Sequence, residues 1–104
     1  MCKSELFNSI LQVVEQETEI ADVLHNKSRT LEVVDARYLL VYFLRNYAGY
    51  NNGYIAERMN MTNQGINKIL RNFDTRRRQN GNFFEATFQR IRNQLSTNFQ
   101  PSRN

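Results

Sequence analysis

Apolar residues recur at helical spacing along almost the whole chain. Leu6, Phe7, Ile10, Leu11 and Val14 share one face of a first helix, for which Ser4 is a suitable N-cap. The acidic run from Glu15 to Glu19 follows, and the spacing then predicts a short second helix from Thr18 or Glu19 to Leu24, with Ile20, Val23 and Leu24 inward. His25-Asn26-Lys27-Ser28-Arg29-Thr30-Leu31-Glu32 reads as a polar, mostly basic loop. A third helix is predicted from Asp35, as its cap, to about Tyr47. Its residues Tyr38, Leu39, Leu40, Val41, Tyr42, Phe43 and Leu44 wrap nearly the whole circumference, as befits the centre of a small bundle. Two glycines and two asparagines in Ala48-Gly49-Tyr50-Asn51-Asn52-Gly53 end it.

Residues 52–71 divide into a short helix over 54–59, a tight turn at Asn60-Met61, and a further helix from Thr62, again a good N-cap. Asn82-Phe83-Phe84-Glu85 has the form of a capping box. It opens a last helix with Phe84, Phe88, Ile91 and Leu95 at spacings of four, three and four, and the tail from about Thr97 to Asn104 is expected to fray. The fold class is therefore all-α, a compact bundle of five to six helices in one domain spanning residues 1–104.

Composition agrees and removes other classes. A chain of 104 residues with 40% apolar and 23% charged types is an ordinary single globular domain. One cysteine, Cys2, cannot form an internal disulfide, and the lone His25 supplies no Cys/His set for zinc. The first residues carry no apolar run of the secretory type, and the longest apolar stretch, seven residues over 38–44, is far short of a membrane span. A phosphate-binding Gly-x-x-x-x-Gly-Lys loop is absent. These features lead to the expectation of a cytoplasmic protein without metal, cofactor or catalytic constellation.

The net charge of +4 is unevenly placed, with −2 on residues 1–50 and +6 on residues 51–104. The basic half contains a segment with the requirements of a helix-turn-helix. Ala56 is the small residue at the close crossing, Asn60 tolerates the positive φ of the turn, and Ile55, Met59, Met61, Ile66 and Ile69 are apolar at the inward positions. The outward positions of the second helix are Thr62, Asn63, Gln64, Asn67, Lys68 and Arg71. An ordinary antiparallel helix pair has the same apolar pattern, but its solvated face commonly mixes Glu with Lys, and here no acid falls between Arg58 and Asp74. Asn and Gln amides can bond adenine bidentately in the major groove. Thr62, Asn63, Gln64 and Asn67 are thus the candidate base readers. Lys68, Arg71, Arg76, Arg77 and Arg78 are candidates for phosphates, as are Lys27 and Arg29 of the basic loop, which can also enter a minor groove. For each of Arg76, Arg77 and Arg78, stabilisation of a helix C-terminus is an equally good reading.

Taken together, residues 20–95 resemble the C-terminal duplex-binding domain of the bacterial replication initiator DnaA, within the Trp-repressor-like helical class. Glu19-Ile20-Ala21-Asp22-Val23-Leu24 looks like that family's short Ile-x-x-x-Asp-Leu-Leu helix, His25-Asn26-Lys27-Ser28-Arg29 like its basic loop, and Asp35-Ala36-Arg37-Tyr38-Leu39-Leu40 like the start of its long apolar helix. The helix-turn-helix and an aromatic-rich last helix follow in the same order. The resemblance implies minor-groove or phosphate contact by Lys27 and Arg29 and base contact by Thr62, Asn63, Gln64 and Asn67. Where the family carries Gly-Arg-Asp-His-Thr-Thr at the start of its recognition helix, this chain has Asn60-Met61-Thr62-Asn63-Gln64-Gly65 instead. The implied protein is a stand-alone domain of that type, without the initiator's ATPase module.

His25 is expected at a surface helix end, and most of the five tyrosines and seven phenylalanines in the core. Tyr50 and Tyr54, beside the glycine turn, are exceptions within reach of a phosphate. Glu15, Glu17, Glu19 and Asp22 read as a solvated acidic run without basic neighbours. The leading expectation is a sequence-specific double-stranded DNA-binding protein, monomeric or homodimeric. The alternative is a helical protein-protein interaction module using Tyr42, Tyr50 and other partly exposed aromatics.

Overall fold

The helix that is apolar on nearly every side lies at the centre. In the computed structural model, which describes residues 3–26, 28–79 and 81–99, this is α2 (Leu31–Asn46). Around it stand α1 (Lys3–Thr18), α3 (Asn52–Met59) and α4 (Asn63–Gln79), while α5 (Gly81–Phe99) packs against α1 and α4. The chain is all-α, with five helices and no strand among the described residues. Leu40, Val41 and Leu44 of α2 are fully buried, and each such side chain contributes about 1.5–3 kcal/mol by leaving water.

The outer helices bury the faces their periodicity marks. Phe7, Ile10 and Val14 of α1 and Phe84, Phe88, Ile91 and Leu95 of α5 are all in the core. Where α2, α4 and α5 meet, Tyr42 stacks on Phe73 at 4.3 Å between ring centroids and Phe43 on Phe88 at 5.3 Å. Tyr50 does not reach outward, and Tyr54 is partly buried. Tyr50 is buried, and both rings lie against Phe7 of α1 and each other. Of the aromatics named for a protein-interaction module, Tyr50 is buried, whereas Tyr42 stacks on Phe73 and keeps part of its surface exposed.

Several boundaries differ from the periodicity. The short helix expected from residue 18 or 19 to Leu24 is a series of turns, because Glu19 and Asp22 take left-handed φ values of 60° and 56° that no α-helix contains. The turn is held by Glu15, whose carboxylate accepts the Val23 N–H at 2.9 Å, and by Val23, which is fully buried. α2 begins before Asp35, with extended Thr30 preceding its first residue, so Asp35 sits inside the helix and not at its cap. α5 starts at Gly81 and Glu85 accepts from Arg77 and Gln89, so the carboxylate that was to complete a capping box with Asn82 faces α4 and its own next turn. The same helix continues through Phe99, past the point where fraying was expected; residues 100–104 lie outside the described residues. The acidic run has basic neighbours after all. Glu17 pairs with Arg90 of α5 at 3.0 Å and also accepts from Gln94.

Candidate nucleic-acid interface

The α3–α4 pair is built by local chemistry at each end of its short connection. Asn51 caps α3 by accepting the Tyr54 N–H at 2.8 Å. Asn60 ends α3 in the left-handed region (φ 55°, ψ 48°), its N–H returning to the Ala56 and Glu57 carbonyls, and the Met61 N–H closes on Ala56 at 2.8 Å. Asn is one of the few residues that adopts this conformation with little strain, which is why the chain reverses here without glycine. Residues 60–62 connect the helices, and Thr62 Oγ1 accepts the Gly65 N–H at 3.0 Å at the start of α4. A Cβ on Gly65 would come within 3.3 Å of that hydroxyl and 3.2 Å of the Met61 methyl, so glycine lets the cap and Met61 close over the first turn.

Packing then decides which face of α4 is presented. Ile55, Ala56, Met59, Ile66 and Ile69 are buried and Met61 is partly buried against the core. Thr62, Asn63, Gln64, Asn67, Lys68 and Arg71 are consequently exposed along one side of the helix. Thr62 combines this exposure with its capping bond, and Asn67 accepts a hydrogen bond from Asn52 Nδ2 of α3.

The basic loop folds onto the same side. An open groove of roughly 640 Å3 runs between residues 24–29 and the α3–α4 connection, with Asn60 and Met61 on one wall and Asn26 on the other. Arg29, Arg37 and Lys68 all line it, and no carboxylate among the described residues does. Arg37 fixes the loop: its guanidinium donates to the Asn26 carbonyl at 2.6 Å and to the Ser28 carbonyl at 3.4 Å. Lys27 falls outside the described residues. Among those described, Arg29, Lys68 and Arg71 have no carboxylate partner, so their charge faces solvent. His25, at the groove's edge, is exposed and bonded to Asp22 at 2.7 Å.

The arginine run is placed differently. α4 does not stop near Arg71 but continues to Gln79, so Arg76, Arg77 and Arg78 point in different directions from its last turn. Arg76 meets Asp35 at 2.5 Å in a mostly buried pair and lies over the Tyr38 ring at 4.7 Å. Arg77 holds Glu85 with two bonds, of 2.5 and 2.9 Å, and lies over Phe88 at 4.3 Å. The Arg77 bonds, then that of Gln89, hold the Glu85 carboxyl down at about 2. Arg78 is exposed. Arg76 and Arg77 are therefore engaged in joining helices, which sets them apart from the free cations of the groove.

Two residues beyond the sequence-derived candidates belong to this surface. Arg37 fixes the loop and adds charge, and Asn52 touches Asn67 across the helix pair. Arg37 stands on a helix otherwise rich in apolar residues, the one local sign that it has a partner to reach. For Asn52 there is no such sign, because the contact spans fifteen residues. No group of three or more His, Cys, Asp or Glu able to hold a metal occurs among the described residues, and no helix is long and apolar enough to cross a membrane. The chain matches no known family model, no curated protein and no solved structure.

Proposed function

We propose that this protein binds double-stranded DNA in a sequence-specific manner, with α3 and α4 acting as a helix-turn-helix. α4 enters the major groove, and Asn63, Gln64 and Asn67 contact base edges, with Thr62 at its N-terminal end. Arg29, Arg37, Lys68 and Arg71 neutralise phosphates or the neighbouring minor groove, and Arg78 extends the contact. Arg76 and Arg77 are left out of the phosphate set because each already holds a carboxylate. The resemblance to the duplex-binding domain of the initiator DnaA is part of the same proposal and predicts the same division between loop and reading helix.

The observation that carries the reading is the groove. Cations from two distant parts of the chain, the loop and α4, line one concavity with no acid among the described residues of its walls, beside an exposed row of amide side chains. Polyanion attraction and base-edge hydrogen bonding need those two elements side by side.

Selection of bound sequences from a pool of random duplexes, at low salt and with the full chain, tests it. The expected result is a short enriched motif bound far more tightly than the unselected pool, with affinity falling steeply as salt rises. Enrichment of no motif would reject sequence reading, and lack of duplex binding at low salt would reject the function.

A further inference from the structure

Asn52 is the feature of the interface that neither charge nor motif points to. Its Nδ2 donates to Oδ1 of Asn67, linking the first turn of α3 to the exposed face of α4. The other end of the same amide, Oδ1, is buried and finds no protein donor. An orphaned buried acceptor is destabilising, and stability alone does not account for an amide at this position.

The two amides have two self-consistent arrangements. In the arrangement present, Asn52 donates to Asn67 Oδ1 and its own oxygen is the orphan, which leaves the NH2 of the exposed Asn67 free of Asn52. With both amides reversed, Asn67 would donate and the buried orphan would be an NH2 group. Buried N–H groups without an acceptor are rarer than under-satisfied carbonyls, which favours the observed arrangement. An isolated surface asparagine, by contrast, can present either end of its amide outward.

We propose that Asn52 is a positioning residue for base reading, holding the Asn67 amide with its NH2 outward and so setting which base edge α4 accepts. The inference rests on the DNA-binding reading above. In that orientation Asn67 offers an N–H to the N7 acceptor of adenine, and the free lone pair of its Oδ1 to the N6 amino group. Asn52 touches no base itself and acts entirely through Asn67.

The experiment compares selected-motif preferences of the wild type, Asn67→Ala, Asn52→Ala, the double variant and Asn52→Asp, alongside thermal melting of each. Asn67→Ala should relax discrimination at one base pair by about tenfold, within the range of a single bidentate contact. Asn52→Ala should relax the same position by about three- to fivefold and leave the other positions and the salt dependence as they were. Added to Asn67→Ala, it should change the preference no further, since the residue it positions is gone. Asn52→Asp, which can only accept, should turn the Asn67 amide over and alter the preferred base there while the fold is retained.

If Asn67→Ala relaxes its position and Asn52→Ala does not, the positioning role is wrong while the DNA reading stands. Uniform weakening at every position, in step with lost thermal stability, would mark Asn52 as structural and also overturn the role. A wild type that selects no motif removes the DNA reading, and this inference with it.

Discussion

The two halves of α4 carry similar polar and basic residues and use them in opposite ways. Over its first turns Asn63, Gln64, Asn67, Lys68 and Arg71 stand exposed, and the cations have no carboxylate partner among the described residues. Over its last turns Arg76 and Arg77 join α4 to α2 and α5 through Asp35 and Glu85. A net charge summed over this half of the chain counts both groups alike. Arg76 and Arg77 offer little to a polyanion, because the field of a cation bonded to a carboxylate is largely cancelled a few ångströms away. The difference divides α4 into an outward-facing end and an anchoring end.

Substitutions can break that division. The largest effect is expected at the anchoring end: Asp35→Ala leaves the mostly buried Arg76 guanidinium without its partner and should destabilise the fold by about 3 kcal/mol in urea unfolding. The folded protein should still select the same DNA motif. At the outward end, Asn63→Ala or Gln64→Ala should leave unfolding within about 0.5 kcal/mol of wild type. Each should instead relax sequence preference at one position by about 1–3 kcal/mol, read from competition with single-base variants of the motif.

Lysine and arginine substitutions sharpen the contrast further. Lys68→Ala should reduce the slope of log affinity against log salt by about one for all sequences. Arg77→Ala should leave that slope unchanged while lowering the melting temperature; a slope change of equal size would mean that the Glu85 pair opens on DNA.

The smallest expected effect is the pH dependence of that pair. Glu85 is depressed from its ordinary 4.5 to about 2 by the Arg77 and then the Gln89 hydrogen bonds, so its contribution is fully present above about pH 4.5. It is lost as pH falls from there towards 2. The pair is half exposed and screened by solvent, so the stability difference between wild type and Glu85→Gln should stay below about 1 kcal/mol and close across that window.

How far the sequence anticipates these halves depends on the distance over which each feature is determined. The burial of Phe84, Phe88, Ile91 and Leu95, the wrapping of α2, and the left-handed turn at Asn60 follow from local spacing and residue type, and all are found. So is the exposure of Asn63, Gln64 and Asn67, since Ile66 and Ile69 fix the opposite face of the helix. The turn over residues 19–25 was not legible, because its left-handed residues are neither glycine nor asparagine and depend on Glu15 capping from the preceding helix. The partners of Arg76 and Arg77 lie 41 and 8 residues away, and nothing in an Arg-Arg-Arg run distinguishes a paired side chain from a free one. Arg37 is similar: its bonds to the loop carbonyls exist only once α2 and the loop are folded together.

The clamp on the far end of α4 has a thermodynamic consequence for its near end. With seventeen residues in one continuous helix, held by two ion pairs and the stacked Phe73, α4 needs no ordering of its backbone when it meets a ligand. The entropy lost on association is then confined to overall motion and to a few side-chain rotamers, on the order of 0.5–1.5 kcal/mol for each long chain immobilised. Of these side chains, Asn67 already has a neighbour that restricts it. On the proposed DNA-binding reading, an element prepared in this way would meet its site as a rigid body, so encounter would be governed by diffusion and charge, and differences between sequences would be expressed mainly in how long the complex lasts.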